Sequence, residues 1–220
     1  DRIYDGSTVG TVTLSDNRVT GDVFTDSYSS ASFVDKNVGT GKPVSVTGIN
    51  ISGTDAGNYT FNNTATTSAN ITPKALIVSG VAASDKVYDG TNTATIDITG
   101  ASLLGIITGD NVALSSGAAV GTFVDKNVEN NKSVSISGLT LSGTDANNYT
   151  INPTAATTAK ITPKALTVSA TGNDRIYDGS TVGTVTLSDN RVTGDVFTDS
   201  YSSASFVDKN VGTGKPVSVT

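Results

Sequence analysis

The chain has 220 residues, of which 36% are hydrophobic, 6% aromatic and 15% charged, with 23 glycines and a net charge of −6. That balance excludes the basic stripe needed to displace counterions from nucleic acid, and no apolar run reaches the roughly 18 residues that span a bilayer. Cysteine, histidine, methionine and tryptophan are absent, which removes disulfides, thiol nucleophiles, the commonest general base and the soft metal ligands.

In chain order, short alternating segments bounded by Gly, Asn or Asp predict half-buried strands at residues 11–14, 45–46 with 49–51, 59–61, 75–79, 95–98, 112–114, 134–136, 139–141, 149–151 and 166–169. Strands of this length at such spacing imply an all-β sandwich or barrel. Residues 101–109 hold two glycines and are expected to form a loop.

Residues 1–47 recur unchanged as residues 174–220. A diverged unit lies between them: DRIYDG at 1–6 becomes DKVYDG at 85–90 and returns at 174–179, and FVDKNV stands at 33–38, 123–128 and 206–211. SGTDAGNYT at 52–60 matches SGTDANNYT at 142–150, and ITPKAL at 71–76 returns at 161–166. A period of 80 to 90 residues is too long for a solenoid unit and suits a string of small domains. With boundaries at Pro73 and Pro163, the units are 1–73, 74–163 and 164–220. The second is expected to be complete, the first to lack its opening strand, and the third to be truncated. Proline fixes its own φ and holds the preceding residue extended, so the joints are expected to be short and stiff and the array an elongated rod.

Asp55, Gly57 and Tyr59 form a DxGxY pattern just before a predicted strand, and Asp145 and Tyr149 repeat it with Asn147 at the middle position. In immunoglobulin-like sandwiches a tyrosine so placed bonds back to upstream backbone, and the expected fold is a tandem of small Greek-key, immunoglobulin-like β-sandwiches. Tyr4, Tyr88 and Tyr177 offer amphipathic rings able to seal one end of a core. The Asp5–Gly6 and Asp89–Gly90 pairs beside them are turn dipeptides. A glycan-contacting role for Tyr4, Tyr28 or Tyr88 is the competing reading. Asp16, Asp22 and Asp26, repeated at Asp189, Asp195 and Asp199, read as a solvated edge. For calcium, the oxygen donors are Asp35 with Asn37, Asp125 with Asn127, and Asp55 with Asn58, although Lys36 and Lys126 beside them oppose a cation. No cofactor and no catalytic residue is expected.

KVYDG at 86–90 and RIYDG at 2–6, followed by FVDKNVGTGK, SGTDAGNYT and ITPKA, resemble the YDG domain of bacterial extracellular proteins. Such repeats occur in very large surface and filamentous-haemagglutinin-like exoproteins. The resemblance covers the whole chain. It implies a secreted or surface-anchored array, often in adhesins, in which the repeats serve as spacer or stalk and a distal region contacts host or environmental glycans. It also implies a possible β-grasp-like fold for each unit. The partners expected of the repeats are their neighbours in the same chain. Identical chains are the partners under the alternative of a self-assembling filament or sheath built by strand exchange, and a glycan-binding module is the second alternative.

Overall fold

Alternating Val, Ile and Thr between glycine- and asparagine-rich turns favour pleated, half-buried backbone over helix. The computed structural model, which describes residues 1–220, is accordingly all-β, with 42% of residues in strands and 3% in helix. The helical residues are two single 3₁₀ turns, Ala56–Asn58 and Ala146–Asn148, directly before Tyr59 and Tyr149. Contacts divide the chain into two units. Unit 1 comprises Asp1–Ala83, Thr95–Gly121 and Ser135–Thr157, and unit 2 comprises Ser84–Ala94, Thr122–Val134 and Thr158–Thr220. Each unit joins one end of the second repeat to a neighbouring repeat.

In unit 1 a four-stranded sheet has the order Arg2–Ile3, Thr64–Thr72, Gly39–Thr47, Ser30–Phe33. The first pair is parallel, with Arg2 opposite Ile71, and the other pairs are antiparallel. Period-two alternation turns Val44 and Val46 inward and leaves Pro43, Ser45 and Thr47 outside. With Tyr4, Ala31, Phe33, Ile71, Leu76 and Tyr149 they form the core. Leu76 enters because Pro73 separates two strands, Thr64–Thr72 and Lys74–Ala75. The second of these pairs in parallel with Tyr149–Thr150, and the Leu76 N–H donates to the Thr150 carbonyl at 2.8 Å.

A second sheet is ordered Lys86–Val87, Ala155–Thr162, Glu129–Ser137, Val120–Phe123, Thr93–Ala94. The Lys86–Val87 pairing is again parallel, with Lys86 opposite Ile161. Phe123, Val134 and Ile161 are buried beside Lys132, which is only 2% exposed. Its ammonium, 2.8 Å from Asp125 and 2.9 Å from Glu129, is held in its charged form by those carboxylates. Beyond Pro163, Val168–Gly172 pairs antiparallel with Val185–Asp189.

Three sequence expectations differ from the structure. Residues 59–61 form no strand, whereas their counterpart Tyr149–Thr150 is one because it pairs with Lys74–Ala75. Within residues 101–109, Ser102–Leu104 is a strand, because it pairs antiparallel with Ile77–Ser79, and only the residues after it form the turn. Residues 11–14 form no strand, although residues 185–187 of their identical counterpart 184–187 belong to the strand Val185–Asp189.

Candidate functional site

The YDG tripeptide is a turn in all three copies. The aspartate accepts the N–H two residues on: Ser7 to Asp5, Thr91 to Asp89, and Ser180 to Asp178, each at 2.9 Å. It also pairs with the basic residue three positions earlier, Arg2, Lys86 or Arg175. The Lys86 ammonium and the Thr91 N–H hold Asp89 down at about 2. Gly6 and Gly90 adopt φ of +79° and +81°, a conformation that favours glycine. A Cβ on Gly6 would stand 2.9 Å from Ile107, and one on Gly90 2.6 Å from Val192, so the next repeat closes over the turn.

That turn aims the tyrosine at the neighbouring repeat. The Tyr4 hydroxyl donates to the Asp110 carboxylate at 2.7 Å. Lys36, from the DKN motif of the same repeat, donates to Asp110 at 2.8 Å and lies 5.8 Å from the centroid of the Tyr4 ring. From the second repeat, Tyr149 donates to the same carboxylate at 2.6 Å and accepts the Ile107 N–H at 2.9 Å. The two tyrosine rings meet edge to face at 5.3 Å. Beside them Asn148 accepts the Val38 N–H at 2.9 Å and donates to Asn37 at 3.1 Å.

One carboxylate therefore takes three donors from two repeats. Burial alone would raise the Asp110 carboxyl, but bonds from Lys36, Tyr149 and Tyr4 outweigh it and hold the group at about 2. Burial and the nearby Asp110 charge push Tyr149 up to about 12, and the same causes raise Tyr4. Both hydroxyls stay protonated and donating. In unit 2, Tyr88 donates to Asp195 at 2.7 Å and Lys126 does so at 3.3 Å. Those bonds hold the Asp195 carboxyl below its ordinary value. Each cluster joins a tyrosine and a lysine of one repeat to an aspartate of the next through hydrogen bonds.

The other sequence-identified residues play local roles. Tyr59 accepts the Val19 N–H at 2.9 Å and donates to Asp22. Asp55 accepts the Val23 N–H at 2.8 Å, Asp145 accepts the Asn111 N–H at 2.9 Å, and the Asn58 N–H caps the Asp55 carbonyl. Asp35 and Asp125 each accept an N–H, from Asn37 and Asn127, at 2.7 Å. Each also pairs with a lysine, Lys42 at 2.5 Å and Lys132 at 2.8 Å, so an ammonium stands beside the carboxylate in two of the three calcium candidates. Asp16 and Asp189 pair with Arg18 and Arg191, and those guanidiniums lie 3.9 Å from the ring centroids of Phe24 and Phe197. Sequence reasoning passed over Asp110, read Asp195 as part of a solvated edge, and weighed Lys36 and Lys126 only as charges opposing a cation. The available signal was a Gly-Asp dipeptide at the same place in every repeat, at 21–22, 109–110 and 194–195.

A family model described as the YDG domain matches three times, over residues 1–69, 72–159 and 162–220. No curated protein and no solved structure matches the chain.

Proposed function

The chain belongs to the YDG domain family, carried three times in tandem, and from that premise we propose that it is a structural spacer in a secreted or surface-anchored bacterial adhesin. Its work is to extend a distal binding region and to bear load through repeated joints. The observation that supports this is the recurrence of one fastening, a tyrosine and a lysine from one repeat on an aspartate of the next, at Asp110 and again at Asp195. A catalytic site gains nothing from being copied at each joint, whereas a spacer gains length from every copy.

The finer architecture belongs to the same proposal: each repeat a small Greek-key, immunoglobulin-like sandwich, set in line as a rod. The corner tyrosines bonded to upstream backbone and the strand–proline–strand joints support it. The parallel pairing of Arg2–Ile3 with Thr64–Thr72 supports the β-grasp-like alternative. Small-angle scattering on residues 1–220 is the test. A rod gives a radius of gyration well above the roughly 17 Å of a single compact chain of this length, and a value near 17 Å removes the spacer reading.

A further inference from the structure

The period of the sequence and the period of the cores do not coincide. Phe123, Val134 and Ile161 of the second repeat are the counterparts of Phe33, Val44 and Ile71 of the first, and all six are buried. Those three residues of the second repeat belong to unit 2, whereas Leu139 and Tyr149 of the same repeat belong to unit 1.

The core of unit 1 is accordingly assembled from two repeats. Tyr4, Phe33, Val44 and Ile71 come from the first, but Leu76 and Tyr149, 5% and 6% exposed, come from the second. Half-buried Leu103, Ile107, Val112 and Leu141, again from the second repeat, pack against them. The polar groups are divided in the same way. Asp110 of the second repeat, whose side chain is 2% exposed, receives Tyr4 and Lys36 from the first repeat and Tyr149 from its own. Asn148, which is 4% exposed, bonds the Val38 N–H and the Asn37 side chain across the same boundary.

We propose that the cooperative folding unit of this array is a composite, the YDG, DKN and central strands of one repeat closed by residues 95–121 and 135–157 of the next, so that a single repeat is not an autonomous domain. Where repeats are autonomous, the interface between neighbours adds to a core that each already has. Here the interface is the core. Withdrawing the second repeat's share uncovers the Tyr4 ring and leaves its hydroxyl, the Lys36 ammonium and the Val38 N–H without partners, and a buried polar network loses most when half of it is removed. Because the second repeat contributes to both units, opening it takes residues from two cores at once.

Hydrogen–deuterium exchange of the 220-residue protein, read peptide by peptide by mass spectrometry, tests this. Asp110→Ala, a change confined to the second repeat, is expected to speed exchange in Gly39–Thr47 and Thr64–Thr72 of the first repeat as much as in Thr140–Ser142 of the second, by about tenfold or more. Asp195→Ala is expected to leave those three segments at wild-type rates and to speed exchange at Lys86–Val87, which belongs to unit 2. Should Asp110→Ala not fold, Tyr149→Phe removes a single hydroxyl and is expected to give the same pattern at about two- to tenfold. Faster exchange confined to the second repeat would mean that repeats fold independently, and overturns the proposal. So does acceleration of every segment by either variant, which would make the chain one cooperative unit, and so does a variant that changes no rate. The scattering test of the spacer reading is independent of all these outcomes.

Discussion

Residues 1–47 and 174–220 are the same sequence in different surroundings, and they do not adopt the same structure. In the first copy Arg2–Ile3 pairs with Thr64–Thr72, Tyr4 is 1% exposed and Phe24 7% exposed. In the second copy Arg175 and Ile176 pair with no strand, Tyr177 is 55% exposed and Phe197 42%. The reverse holds further along. Residues 185–189 form a strand against Val168–Gly172, whereas their counterparts at 12–16 have no such partner and stay irregular. Local propensity is held constant by identity, so the difference lies wholly in which strands the neighbouring sequence supplies. β-structure here is a property of pairs of segments.

The largest test of this comparison is the same substitution made in both copies. Tyr4→Ala is expected to cost about 3–5 kcal/mol, as for a buried aromatic, and Tyr177→Ala less than about 0.5 kcal/mol, measured by denaturant unfolding followed by circular dichroism. Equal losses would break the comparison. Asp110→Ala comes next, at about 2–4 kcal/mol, because it strands two buried hydroxyls and an ammonium. Asp22→Ala, which strands one hydroxyl, is expected to cost about 1 kcal/mol. Tyr149→Phe is expected to cost a similar amount, about 0.5–1.5 kcal/mol, through loss of its hydroxyl bonds.

Titration sharpens the same contrast. Asp110 is held at about 2 against an ordinary 3.8, so its contribution is full above about pH 4 and is lost as pH falls towards 2. Tyr149 is raised to about 12 from 10.0, so its contribution is full below pH 10 and is lost as pH rises towards 12. Thermal melts across pH 2–4 should show a steeper fall in midpoint for the wild type than for Asp110→Asn. Parallel curves would remove Asp110 from the account.

Much of this was legible in the sequence. The repeat landmarks identified the tyrosines, and the Asp-Gly dipeptides identified their turns, because turn chemistry acts over two or three residues. The tyrosine before a strand led to the hydroxyl–backbone bond at Tyr59 and Tyr149. What the tyrosines of the YDG motif bond to was not legible: Asp110 lies 106 positions from Tyr4 and Asp195 lies 107 from Tyr88, and no local pattern links residues so far apart. Asp22 and Asp195 were read as a solvated edge because a carboxylate among glycines and threonines carries no sign of being shared. The Ser102–Leu104 strand was missed for a related reason, since its glycine-rich flank masks a segment that is ordered by pairing with Ile77–Ser79.

A double-mutant cycle between Tyr4→Phe and Asp110→Ala addresses most directly the claim that one carboxylate fastens consecutive repeats. A coupling energy of about 0.5–3 kcal/mol is the predicted result for two groups in one network. Losses that simply add, to within about 0.3 kcal/mol, would contradict it.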